Sequence, residues 1–143
     1  MDEITTPQLV ELPPTSNLND LLTNRVADDP DATIVERPSG DGWERLSGTA
    51  FDAEIVAVAK GLVAKGVEPG DHVGIMARTR YEWTLLDFAA WAAGAVPVPV
   101  YETSSAEQVE WIVSDAGVTL LVAENAELVS LVRGIQDSTP TLR

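Results

Sequence analysis

At 143 residues the chain has the length of one domain, and 45% hydrophobic residues is ordinary for a globular core. Its charge is not ordinary: 23 Asp and Glu against 9 Lys and Arg give −14, a surface that repels nucleic acid and anionic lipid and makes both poor partners. There is no cysteine, hence no disulfide framework and no thiol chemistry.

Residues 1–16 hold three prolines among Thr and Ser and are expected to form an irregular arm. The opening Met1-Asp2-Glu3-Ile4 is acidic and lacks the basic-then-apolar layout of a signal peptide. No apolar run approaches the roughly 20 residues that span a bilayer. The expectation is therefore a cytoplasmic chain without a transmembrane segment, with peripheral membrane contact left open.

Asn17 is placed to cap a helix with Leu18, Leu21, Leu22 and Val26 on one face, stopped by Pro30. Thr33–Glu36 and Trp43–Leu46 are β-prone, and Pro38-Ser39-Gly40-Asp41-Gly42 between them is dense turn chemistry, which predicts an antiparallel hairpin. Ser47 then caps a long helix to about Lys65. Its buried stripe is Phe51, Ile55, Val58, Ala59 and Leu62, with Asp52, Glu54, Lys60 and Lys65 in water.

The centre of the chain is the stretch from Asp71 to Asp115. His72–Ala77 reads as a buried strand after the turn Glu68-Pro69-Gly70-Asp71, and Tyr81–Ala93 as a helix that Gly94 can cap. That helix is apolar nearly all round. Trp83, Leu85, Leu86, Phe88 and Trp91 cannot all face one sheet, so they require cover on most sides. Val96–Val100 is a second strand, and Ser104-Ser105-Ala106-Glu107 has the form of a capping box. Val109, Ile112, Val113 and Ala116 mark an amphipathic helix, Val118–Val122 a third parallel strand, and Ala126–Arg133 a last helix. Pro97 and Pro99 share parity, so one side of their strand lacks two N–H donors. Pairing is expected mainly through the other side, or the strand ends by Pro99.

The class is thus α/β: a parallel-sheet βαβαβ segment with flanking helices and an N-terminal β-hairpin. Residues 138–143 show no closing element, and residues 17–143 are expected to be a partial α/β domain truncated at its C-terminal end.

Chemistry is sparse. The single histidine, His72, opens a strand, and no nucleophile and orienter are evident around it. No metal-ligand spacing, G-x-G-x-x-G or G-x-x-x-x-G-K-[ST] occurs. Position remains: open α/β sheets bind ligands beyond the carboxyl ends of their strands. Those ends carry Ala77-Arg78-Thr79-Arg80 and Tyr101-Glu102-Thr103-Ser104. Arg78 and Arg80 can meet an anion or form surface ion pairs; Tyr101 can line an acyl or ring pocket or simply pack. Arg78, Tyr101 and Thr103 are the substrate-edge candidates.

Leu62-Val63-Ala64-Lys65-Gly66-Val67-Glu68-Pro69-Gly70-Asp71-His72-Val73-Gly74-Ile75, then Glu82-Trp83, then Ala93-Gly94-Ala95-Val96-Pro97-Val98-Pro99, resembles the N-terminal part of AMP-forming acyl-CoA synthetases, the adenylate-forming ligases. Tyr101-Glu102-Thr103-Ser104-Ser105-Ala106-Glu107-Gln108 is similar to the long-chain fatty acyl-CoA branch. The resemblance spans about Leu18 to Val122. It implies the large N-terminal domain of a ligase that joins a fatty acid to coenzyme A by way of acyl-AMP, with ATP, Mg2+ and coenzyme A as the full-length enzyme's cofactors. The family's phosphate loop, its metal and ribose residues and its C-terminal lysine come later in sequence. The resemblance therefore implies no catalytic or cofactor-binding residue here, no cofactor bound by this segment alone, and a fatty acid met through the missing region. An Asn often seen near the strand end is replaced within Arg78-Thr79-Arg80.

Two other readings stand beside this one. One is another adenylate-forming branch acting on an aryl or short acid, against which the Tyr101–Ser105 run argues. The other is a free-standing α/β binding or interaction module without catalysis. In the fragment reading, the apolar helix or an open sheet edge leaves self-association open.

Overall fold

The computed structural model describes residues 6, 7, 9, 11 and 13–143. Of the expected arm, residues 1–5, 8, 10 and 12 lie outside the described residues; the rest of it, up to Ser16, is exposed and forms no helix or strand.

Helix α1 (Leu18–Asp28) opens on Asn17, whose side chain accepts from the Asn19 N–H at 2.9 Å while Asp20 accepts from the Asn17 N–H at 2.9 Å. Of the face expected to be buried, Leu22 is buried and Val26 packs against the core, but Leu18 and Leu21 are exposed. A short helix at the margin of the Gly48–Ala64 and Tyr81–Ala92 helices buries a narrower stripe than its sequence offers.

Strands β1 (Thr33–Ser39) and β2 (Gly42–Ser47) form the antiparallel hairpin, turning at Gly40-Asp41. Arg37 lies opposite Glu44 and Glu36 opposite Arg45, and both pairs close as ion pairs at 2.7 and 2.8 Å. Opposite charges directly across an antiparallel pair reinforce the register. Leu46 is the hairpin's buried anchor.

Helix α2 (Gly48–Ala64) is capped by Ser47, whose hydroxyl accepts from the Ala50 N–H at 3.2 Å. Phe51, Ile55, Ala59 and Leu62 are buried as expected, and Val58 is half-buried. Glu54 is not in water as expected. It is half-buried and bonded to Arg37 and Tyr81, because the hairpin and α3 converge on its face of α2.

The parallel sheet has the order β4-β3-β5, with β3 (His72–Met76) between β4 (Val96–Val100) and β5 (Val118–Ala123). Helix α3 (Tyr81–Ala92) connects the first pair and α4 (Ala106–Ala116) returns the chain past β3. The sheet divides two cores. Val73, Ala95 and Leu120 join α1, α2 and α3 in one, whereas Met76, Val100, Val118 and Leu121 join α4 and α5 (Ala126–Gly134) in the other. A register shift between His72 and Val73 lets β5 present Val118 and Leu121 to the same core despite their parity.

Helix α3 ends in a Schellman motif. Gly94, at φ +78°, donates to Trp91 O at 2.9 Å and Ala95 donates to Ala90 O at 2.8 Å. The helix packs on α2 and the sheet, so it lies between two layers. Even so, only Leu85 of its five large apolar residues is fully buried. Trp83, Leu86, Phe88 and Trp91 remain half-buried, because two layers cannot cover the whole circumference.

Strand β4 is an edge, and its Val96 N–H points inward to Asp71 O at 2.8 Å. Pro97 and Pro99, of the other parity, therefore face the open side. The one-sided pairing matches expectation, but the strand runs on to Val100 instead of ending by Pro99, since the missing donors lie where no partner needs them.

Helix α4 starts one residue later than the Ser104 box implies: Ser105 caps it, with Gln108 completing the reciprocal pair at 2.9 and 3.3 Å. The last residues do close onto the body. A 3-10 turn (Gln136–Ser138) leads to buried Thr139 and Leu142, and the Arg143 N–H donates to Thr119 O at 2.9 Å. Thr139 is polar and fully buried, and its hydroxyl donates back to Ile135 O at 3.1 Å, which satisfies it in the interior.

Candidate functional site at the carboxyl ends of the sheet

The chain leaves β3 for β4 on one side and returns across it to β5 on the other, so the connections reverse between β3 and β5. In an open α/β sheet this reversal, at the carboxyl ends, is where a crevice forms. The residues there are Ala77–Tyr81 after β3, Tyr101–Ser104 after β4 and Glu124 after β5.

Arg78 and Arg80 meet there around a single carboxylate. Glu124 accepts from the Arg78 backbone N–H at 2.9 Å, from Arg78 Nη2 at 2.7 Å and Nε at 3.1 Å, and from Arg80 Nη1 at 3.2 Å. Its own backbone N–H donates to Met76 O at 3.0 Å, so it is anchored to the end of β3 as well. The Glu124 side chain is 5% exposed while those of Arg78 and Arg80 are 71% and 42% exposed. The Arg78 guanidinium, and next its backbone N–H, pull the Glu124 carboxyl from the ordinary 4.5 down to about 2. The arginines are raised in turn, Arg78 chiefly by Glu124 and Arg80 chiefly by its bond to Glu82.

Two grooves flank this cluster. A cleft of about 560 Å³ lies between the hairpin and the β3–α3 turn, with exposed Trp43 on one wall and Arg78, Arg80 and Glu124 on the other. A groove of about 420 Å³ runs between the ends of β3 and β4, lined by Arg78, Thr79, Trp83, Val100 and Tyr101. Arg78 and Tyr101 are thus brought together, whereas Thr103 is exposed and lines neither. Tyr101 is not packed: it is 79% exposed and also borders a groove of about 440 Å³ with Trp111 on α4.

His72 sits at the other end of β3, its Nδ1 hydrogen-bonded to Ala116 O. That contact ties β3 to the end of α4 and leaves the ring away from the carboxyl ends. No group of three or more His, Cys, Asp or Glu suited to a metal ion occurs among the described residues. No helix among them is long and apolar enough to cross a membrane.

Sequence reasoning missed Glu124 and Trp83. Glu124 directly follows the third strand, so listing all three carboxyl ends instead of two brings it into view. Trp83 was assigned wholly to the core, and nothing in a helical pattern says which aromatic borders a groove.

The AMP-binding enzyme family model matches residues 22–142. The chain is 40% identical over 143 residues to the long-chain-fatty-acid–CoA ligase FadD15 of Mycobacterium bovis, covering all of this chain and 24% of that protein. The N-terminal domain of FACL13 from Mycobacterium tuberculosis superposes with a TM-score of 0.78 at 27% identity, over 90% of this chain and 33% of that one. A fatty acyl CoA synthetase of the same organism gives 0.76 at 28% identity, over 88% of this chain and 25% of that one. The chain spans about a quarter of the length of the FadD15 ligases it matches. With its sheet and hairpin in the arrangement of these N-terminal domains, the chain belongs to the AMP-binding enzyme family, the adenylate-forming ligases.

Proposed function

We propose that this segment is the N-terminal scaffold portion of an AMP-forming long-chain fatty acid–CoA ligase. The whole enzyme activates a fatty acid with ATP to acyl-AMP and passes the acyl group to coenzyme A in the cytoplasm. The carrying observation is the 40% identity to FadD15 along the entire chain. On this reading ATP, Mg2+ and coenzyme A are the cofactors of the complete protein.

The residues at the carboxyl ends do not themselves fit the nucleotide or its metal. Their two arginines are already paired, Arg78 with Glu124 and Arg80 with Glu82 and Glu124, and no suitable acidic cluster stands among the described residues. No step of the reaction is assigned to them. Arg78 and Tyr101 remain a substrate-edge groove whose occupant enters from the rest of the enzyme. Thr103 lies outside that groove. Residues 17–143 then count as a partial domain, with residues 1–16 as an arm in front of it.

The test is to sequence the reading frame beyond Arg143, express all of it, and measure fatty-acid-dependent release of AMP and pyrophosphate across acyl chain lengths. Turnover with long-chain acids and coenzyme A supports the reading. Preference for an aryl or short acid moves the protein to another branch of the family. The 143-residue segment alone is expected to be inactive, and acid-dependent ATP cleavage by it refutes the scaffold role.

A further inference from the structure

The donors around Glu124 are arranged as an anion receptor would be. Two guanidinium groups and one backbone N–H converge on a single point at the reversal of an open parallel sheet, the place where such sheets take their ligands. Planar forked donors joined by a main-chain N–H match carboxylate and phosphate groups alike. Here the guest is the chain's own carboxylate, held by five contacts: the four given above and a longer one from Arg78 Nε to Oε2 at 3.4 Å. The guest is covered, yet the outer faces of both arginines stay open to the 560 Å³ cleft.

The geometry points to a phosphate-type anion receptor held shut by Glu124, an autoinhibitory contact built into the turn after β3. A tethered carboxylate competes at high effective concentration and needs no ordering on arrival, so a free anion does not displace it. Glu82, which holds Arg80 from the other side, and Glu102, whose charge acts on Arg78, further discourage a second anion. The consequence is one of specificity. This end of the sheet rejects free phosphate, and phosphate-bearing ligands are directed elsewhere. The inference is independent of the ligase reading, because its test uses no enzymatic activity.

The experiment titrates inorganic phosphate into the 143-residue chain and into Glu124→Ala and Glu124→Gln variants, following the Arg78 amide by NMR. The wild-type signal is expected to stay unmoved at millimolar phosphate. The Ala variant is expected to bind at least about tenfold more tightly than the wild type, as two charge-assisted donors lose their internal partner. Gln keeps the bulk of the guest and is expected to fall between them. Should the variants lose their fold, phosphate is expected to restore it where sodium chloride of equal ionic strength does not. Phosphate binding by the wild type through Arg78 overturns the proposal. So does a folded Ala variant that gains no binding, or an unfolded one that phosphate does not rescue.

Discussion

The Tyr81 hydroxyl donates a 2.7 Å hydrogen bond to Glu54 Oε2, joining the first turn of α3 to α2 at the edge of the first core. Arg37 completes the arrangement from the hairpin, donating to both Glu54 oxygens at 3.0 and 3.1 Å and standing 5.1 Å above the Tyr81 ring. Three elements distant in sequence thus meet on one carboxylate. Beneath it, Tyr81, Phe51, Phe88 and Trp91 follow one another at centroid distances of 6.0, 5.8 and 5.1 Å.

Replacing Tyr81 with Phe keeps the ring contacts and deletes only the hydrogen bond. The expected loss is about 1.5–3 kcal/mol, the range for a bond to a charged acceptor. Urea unfolding with an unchanged m-value measures it. No change in midpoint means that water substitutes fully for the hydroxyl.

Burial first, and then the bond to Glu54, push the Tyr81 phenol from 10 up to about 12. A raised pKa means that the native state favours the protonated form. The stabilisation is complete below about pH 10 and is lost as pH rises through about 12. The chain has two tyrosines, so a Tyr101→Phe background isolates this titration by phenolate absorbance. The midpoint is expected well above 10, and lower when Glu54 is also replaced by Gln. A midpoint unaffected by Glu54 removes that hydrogen bond as a cause.

On the acid side Glu124 contributes alongside Glu44 and Glu82, which Arg37 and Arg80 also hold below the ordinary carboxylate value. The folded pKa of Glu124 is depressed to about 2 from 4.5, so its contribution is complete above about pH 4.5 and disappears as pH falls toward about 2. Thermal melts of the wild type and of Glu124→Gln across this window are expected to converge at the acid end and separate above it. Parallel curves throughout show that the Arg78 contact carries no proton linkage.

Pro97 and Pro99 deny donors to the open edge of β4. A Pro97→Thr/Pro99→Thr double variant restores two outward N–H groups to a β-prone edge. It is expected to self-associate more strongly than the wild type in sedimentation across a concentration series. Equal behaviour means that the prolines serve the strand's shape and not its isolation.

The order of elements was legible in the residues themselves. Asn17, Ser47 and Gly94 mark boundaries because a cap or a positive φ is a local requirement, met by one residue and its near neighbours. The paired prolines likewise announced a one-sided strand before any partner was known. The candidates at the carboxyl ends followed from the strand and helix alternation alone, and Arg78 and Tyr101 do share a groove there. Which strand lies in the middle was not legible, since β4-β3-β5 depends on which faces the helices cover after both crossovers are made. Nor was the partner of a charge. Glu54 and Glu124 each look like solvated acids in sequence, yet residues 17 and 46 positions away claim them. Local backbone chemistry sets where elements start and stop. Only packing decides which distant guanidinium reaches a carboxylate, because that distance is fixed by the sheet and helices between them.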